Sequence, residues 1–203
     1  VHMQILDQLV GIDINEFPVH LTAMNLAMRN PKAPSSNIKV IVADFFSIVP
    51  GRKTLVPSYK VRTVEGEKRV DIELKDFDAV VGNPPYTRWG ELPRNVQDNI
   101  IERIGGVLQQ YDLLPQARRR GAEYTMVVFW LIHATNFIKE GGRLGMIISD
   151  SWLQASYGIR FGRYLANHYK IHAIIDISSR VFPVPLTGAC IVLLEKCLKP
   201  EER

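Results

Sequence analysis

Phe77-Asp78-Ala79-Val80-Val81-Gly82-Asn83-Pro84-Pro85-Tyr86 is the stretch on which the reading of this chain turns. The apolar, valine-containing run predicts a buried β-strand over 77–82, and the two prolines behind it predict a stiff turn at its carboxyl end. In open α/β sheets that edge is where ligands bind. Each proline removes a backbone N–H, fixes its own φ and keeps the residue before it extended. The turn therefore presents carbonyl and amide oxygens, few donors and one aromatic face, that of Tyr86.

Such a turn suits the acceptance of protons from a planar amino group. An exocyclic amine such as adenine N6 is a poor nucleophile, because its lone pair is delocalised into the ring. Acceptors on its two N–H bonds, here the Asn83 side-chain oxygen and the Pro84 carbonyl, favour the pyramidal form and stabilise the positive charge that grows on nitrogen as it attacks. Pro85 stiffens the turn, and Tyr86 is placed to stack on the base. Stacking contributes roughly 1–3 kcal/mol per base, comparable to the few kcal/mol needed to extrude one from a duplex. The competing reading is a plain turn with Tyr86 packed on the core.

Outward from this turn, strands and helices alternate, which argues for a mostly parallel sheet wrapped by helices in one α/β domain. Strands are expected near 9–14, 39–43, 77–82, 143–149, 171–177 and 188–195, and helices near 18–29, 93–104, 123–139 and 156–168. About ten residues join the last two strands, too few for a parallel crossover, so that pair should be antiparallel. Asp13 and Asp44 each end an apolar run and should emerge at the same sheet edge as Asn83. A strand-end carboxylate suits a ribose diol, as in dinucleotide-binding folds. Asp13 fits that role with Ile14 beside it to pack on a nucleoside base, while Asp44 and Phe45 suit a cofactor adenine. The alternative for both aspartates is a helix cap or a turn.

Composition sets bounds without naming a chemistry. The 203 residues are 46% apolar and carry a net charge of +4, which permits nucleic-acid binding but does not demand it. The longest apolar stretches fall short of a membrane span, so no membrane partner is expected. Cys190 and Cys197 form no metal pattern, no metal site emerges, and the default compartment is a reducing cytoplasm. Cys190 reads as a buried small hydrophobe.

The motifs in their order resemble those of the S-adenosylmethionine-dependent adenine-N6 DNA methyltransferases of restriction–modification systems, from about Leu9 to Lys196. Val10-Gly11-Ile12-Asp13-Ile14-Asn15 is similar to the family's second-strand motif, and Val40-Ile41-Val42-Ala43-Asp44-Phe45-Phe46 to its third. Gly141 to Ile148, Ile174-Ile175-Asp176, and Val181-Phe182-Pro183 with Thr187 and the strand from Ala189 resemble its later segments. The resemblance implies a Rossmann-like methyltransferase sheet with an antiparallel last strand. It implies S-adenosylmethionine as cofactor, held by Asp13, Ile14, Asp44 and Phe45, and double-stranded DNA as substrate. Asn83, Pro84, Pro85 and Tyr86 would be catalytic, with Phe182 as second aromatic on the flipped adenine and Arg88 as a further substrate contact.

The family's glycine-rich cofactor turn should lie some twenty residues before Asp13. Only twelve residues precede it, and Val1-His2-Met3 reads like a cloning scar. The chain thus reads as one partial domain whose sheet lacks its first strand, inactive by itself and with weak or no cofactor binding. Two insertions interrupt it. Residues 50–75 suggest a surface hairpin around Glu65-Gly66-Glu67, with Tyr59 to Arg62 and Lys68 to Asp71 as arms. Residues 87–123, with Arg88, Trp89, Arg94 and Arg118-Arg119-Arg120, suggest a solvated face, or else a partly mobile lid or phosphate clamp. Neither insertion resembles a recognition domain, so sequence choice would fall to a further segment or to a separate specificity or restriction subunit. Open alternatives are methyl transfer to a release-factor glutamine or to guanine N2 of RNA, or a non-catalytic DNA-binding or structural module.

Overall fold

The computed structural model describes residues 2–30, 38–56, 62–63, 66–67, 70–115, 124–177, 188–199 and 201. In chain order the elements are α1 (His2–Leu6), β1 (Val10–Asp13), α2 (Glu16–Met28), β2 (Lys39–Val42), β3 (Lys53–Val56), β4 (Arg62–Thr63), β5 (Gly66–Glu67), β6 (Val70–Glu73) and β7 (Phe77–Gly82). They continue with α3 (Arg94–Gln110), α4 (Met126–Ala134), β8 (Ile138–Ser149), α5 (Gly158–His168), β9 (Tyr169–Ile177) and β10 (Ala189–Lys196). Two compact units emerge, Val1–Leu74 and Lys75–Arg203.

In the first unit β1 and β2 pair in parallel, with Val10 opposite Lys39 and Asp13 opposite Val42. The connection carries α2, which starts where Asn15 caps it: its side chain accepts the Phe17 amide at 3.0 Å. Pro18 falls in the first turn, where its missing N–H costs nothing. Helix α2 is apolar on more than one side. Val19 is buried, whereas Phe17, Leu21, Met24 and Met28, at helical spacing, are exposed. The expected hairpin over 50–75 is present as two antiparallel pairs, β3 with β6 and β4 with β5, so its long arms are 53–56 and 70–73. Residues 59–61 and 68–69, expected as arms, lie outside the described residues.

The second unit is built on a four-stranded sheet in the order β7-β8-β10-β9. β7 and β8 are parallel, and β10 runs antiparallel to both of its neighbours, β8 and β9. The reversed last strand is thus as expected, and it inserts between β8 and β9 rather than adding to an edge. Register explains the core. Leu144, Met146 and Ile148 of β8 stand opposite Leu194, Val192 and Cys190 of β10, and all six are buried on one face. Each such side chain contributes roughly 1.5–3 kcal/mol by leaving water. Helix α4 is apolar all round and buried almost throughout. Helix α3 buries Ile100, Ile104 and Leu108, a single stripe at fourfold spacing. The other face is more open: Val81 of β7 is 81% exposed. The expectation of a buried strand at 77–82 is corrected: no residue of β7 is buried, and it stands at the end of the order in the four-stranded sheet.

Helix α4 also ends earlier than its apolar pattern predicts, and β8 begins earlier, at Ile138. Gly141 adopts φ +74°, and a Cβ on Gly142 would lie 2.9 Å from the Phe77 carbonyl oxygen. Only glycine lets β8 approach the start of β7 so closely.

Where α4 gives way to β8, Thr135 organises a buried hydroxyl network. Its Oγ1 donates to the Leu131 carbonyl at 2.9 Å, accepts from Tyr164 Oη at 2.8 Å and lies 2.6 Å from Tyr169 Oη. One proton given and two accepted saturate that oxygen. Thr135→Val removes the shared partner of two buried phenols and is expected to cost roughly 2–4 kcal/mol, read as a lower urea midpoint. An unchanged midpoint would contradict the network. Burial, first of all, pushes the ionisation of Tyr164 and Tyr169 upward. Unfolded, both phenols ionise near pH 10, so their contribution is complete below about pH 10 and is lost as pH climbs above it.

Candidate active site

Two strand edges carry the residues singled out by sequence, one in each unit. In the first unit, the parallel pairing of β1 and β2 brings Asp13 and Asp44 to one carboxyl edge, closed by the Ala43 amide donating to the Asp13 carbonyl at 2.9 Å. Each carboxylate also serves its own turn. Asp13 Oδ1 accepts from the Asn15 amide at 2.8 Å, and Asp44 Oδ1 accepts from the Phe46 amide at 3.1 Å. The cap-or-turn role weighed from sequence is therefore real for both, a turn at Asp13 and a cap at Asp44, and it uses one oxygen of each. Ile14 is 70% exposed beside Asp13. Phe45 is only 8% exposed, with its ring tilted against Phe46 at 6.0 Å.

In the second unit, β7 ends at Gly82 and the chain enters the turn. Asn83 and Pro85 are exposed, Pro84 is buried and Tyr86 is half-buried. Pro84 thus roots the turn while its neighbours face outward. The Tyr86 phenol is pushed up by burial and, secondarily, by Cys190 of β10. Cys190 is itself fully buried, and its thiol is raised first by burial, with Asp150 and Asp176 adding to the effect. It remains a protonated, unreactive thiol, as its setting within an apolar strand suggested.

Arg88 is exposed and opens a short 3₁₀ turn over Trp89–Glu91, where its amide donates to Glu91 Oε2 at 3.3 Å. Phe182 and Arg118-Arg119-Arg120 lie outside the described residues. Within the insertion at 87–123 the expected scarcity of apolar anchors is corrected, because α3 runs to Gln110 and buries Ile100, Ile104 and Leu108; residues 116–123 lie outside the described residues. Among the described residues no group of three or more histidine, cysteine or acidic side chains could hold a metal ion. None of the described helices is long and apolar enough to cross a membrane.

Sequence reading places Asp150-Ser151-Trp152 after a strand at this edge and Trp89 just past the turn, but two pairings escaped it. Asp150, directly after β8, takes the Gly188 carbonyl with its amide at 3.2 Å, and its carboxylate fills the space a Cβ on Gly188 would need. Trp89 and Tyr124 meet across the base of the turn, the Trp89 amide donating to the Tyr124 carbonyl at 2.9 Å. No local pattern signals either pairing, since each joins residues more than thirty positions apart.

Comparison with known proteins gives consistent likenesses. The family model described as Eco57I restriction-modification methylase matches residues 7–182. The type II methyltransferase M.BstVI of Geobacillus stearothermophilus is 31% identical over 105 residues, 52% of this chain and 16% of that protein. Among solved structures, the type IIG restriction endonuclease BpuSI superposes with a TM-score of 0.63 at 16% identity, over 94% of this chain and 19% of that one. A Listeria monocytogenes protein assigned to the class I S-adenosylmethionine-dependent methyltransferases gives 0.55 at 13% identity, over 93% and 44%. The chain therefore spans less than a fifth of the length of M.BstVI and of BpuSI.

Proposed function

The chain belongs to the Eco57I restriction-modification methylase family, and on that footing we propose that it carries the transfer site of a DNA adenine-N6 methyltransferase. The fold is the α/β arrangement of class I S-adenosylmethionine-dependent methyltransferases. The observation that carries the proposal is the turn at the end of β7, with Asn83 facing out, Pro84 rooted and a half-buried tyrosine next in line. An acceptor-rich, donor-poor edge beside an aromatic face is what an amine nucleophile needs.

In this reading Asn83 Oδ1 and the Pro84 carbonyl accept the two N–H bonds of the target adenine, and Tyr86 stacks on its ring after extrusion from double-stranded DNA. Phe182 is assigned to the opposite face of the base and Arg88 to the DNA backbone. The proton leaves to water once the amine has reacted, so no general base is assigned. S-adenosylmethionine would supply the electrophilic methyl group. The first unit suits that molecule: Asp13 keeps one carboxylate oxygen for a ribose hydroxyl, with Ile14 exposed beside it. Asp44 is assigned to the adenine amino group, and Phe45, being buried, to the wall beneath it. Choice of DNA sequence is assigned to a segment or subunit outside these residues.

The test is direct. Full-length protein incubated with labelled S-adenosylmethionine and duplex DNA should yield the label as N6-methyladenine. Label recovered on guanine of RNA, or on a protein glutamine, would overturn the substrate while keeping the turn.

A further inference from the structure

We propose that Trp89 and Tyr124 form a positioning anchor that fixes Tyr86 and the acceptor turn at the sheet edge; the proposal rests on the reading of Asn83–Tyr86 as the transfer site. The chain leaving Tyr86 is pinned at once. The Met126 amide donates to the Thr87 carbonyl at 2.9 Å, the Trp89 amide donates to the Tyr124 carbonyl at 2.9 Å, and Arg88 faces Thr125 as an isolated antiparallel bridge between them. Gln97 of α3 adds a clamp from below, its Nε2 donating to the carbonyls of Trp89 at 2.9 Å and Leu92 at 3.1 Å.

The side chains lock the same point. The Trp89 indole tilts against Phe129 with centroids 5.0 Å apart, and Phe129 is wholly buried in α4. Tyr124, itself buried, lies 6.2 Å from Phe129 and 4.7 Å from Tyr157, so an aromatic row runs from the anchor into the core. Two prolines leave the turn few internal freedoms, so its placement is set by its two ends. One end is the β7 ladder, where Gly82 stands opposite Met146, and the other is the anchor. Transfer geometry is unforgiving, and a displacement of about 1 Å can cost about 10²-fold in rate. Trp89 and Tyr124 act through Tyr86 and touch no reacting atom.

The experiment compares Trp89→Ala, Trp89→Phe and Thr135→Val in the full-length enzyme. Trp89→Ala should lower kcat about tenfold or more while the cofactor dissociation constant, measured by calorimetry, stays within about twofold. Trp89→Phe, which keeps a ring against Phe129, should return kcat to within about threefold of the unsubstituted enzyme. Thr135→Val destabilises the opposite end of α4 and should leave kcat unchanged. If Trp89→Ala does not fold, Trp89→Leu is read against the same threshold. Retention of kcat within about twofold, or an equal loss in Thr135→Val, overturns the anchor alone. An unsubstituted enzyme that transfers no methyl group to adenine overturns the reading of the turn, and the anchor with it.

Discussion

Asn83→Ala in the full-length protein is expected to lower kcat for adenine methylation by about 10²–10³-fold, the loss typical when one preorganised polar group aimed at developing charge is removed. The side chain is exposed at the end of β7, so truncation opens no cavity and the thermal midpoint should hardly move. Cofactor binding should persist, because the groups assigned to it, Asp13 and Asp44, belong to the first unit. Asn83→Asp keeps an acceptor oxygen in place and should recover part of the rate. The split decides between readings. A plain turn would show neither the rate loss nor the rescue, and near-normal turnover in Asn83→Ala would dismiss the acceptor role.

How much of the molecule is legible in its sequence depends on whether the controlling interaction is local. β7 spans the predicted residues, because a valine-rich run closed by two prolines leaves little choice of bounds. The antiparallel final pair follows from loop length alone. Two departures share a cause. The apolar pattern from 123 to 139 suggests one long helix, yet the chain turns at Thr135–Phe137 and enters β8. That switch is enforced by the positive φ of Gly141 and by the close approach of Gly142 to the Phe77 carbonyl, a contact between residues more than sixty positions apart. Likewise α3 is a 17-residue helix that continues past the expected end near 104, through Gly105 and Gly106, which favour helix poorly. Its burial against α4 outweighs that local preference. At the site, Asp13 and Asp44 are legible as strand-end carboxylates, whereas the buried ring of Phe45 and the Trp89–Tyr124 anchor are not. Residue type and spacing announce a chemistry. Which neighbours hold it in place is decided by register and strand order.

Tyr86→Ala is the second large effect expected, with a loss of about 5- to 150-fold in kcat/KM, the equivalent of the roughly 1–3 kcal/mol that one base–aromatic stack contributes. The loss should appear in handling of the extruded base rather than in overall DNA affinity, which phosphate contacts dominate. A duplex carrying 2-aminopurine at the target position makes this visible: its fluorescence rises on unstacking, and the rise should shrink in Tyr86→Ala. Tyr86→Phe should remain close to the parent in rate, since the ring is retained and the hydroxyl is a buried atom whose ionisation is pushed upward by burial. Tyr86→Trp keeps a stacking face and should also turn over. The pattern separates a stacking face from packing. Were Tyr86 merely a core residue, Tyr86→Ala would lower the melting temperature while the protein still folded turned over normally. Were its hydroxyl the working group, Tyr86→Phe would fail as badly as alanine. Only a requirement for the ring, met by phenylalanine and tryptophan alike, fits a half-buried aromatic that comes after an acceptor turn at the rim of the sheet.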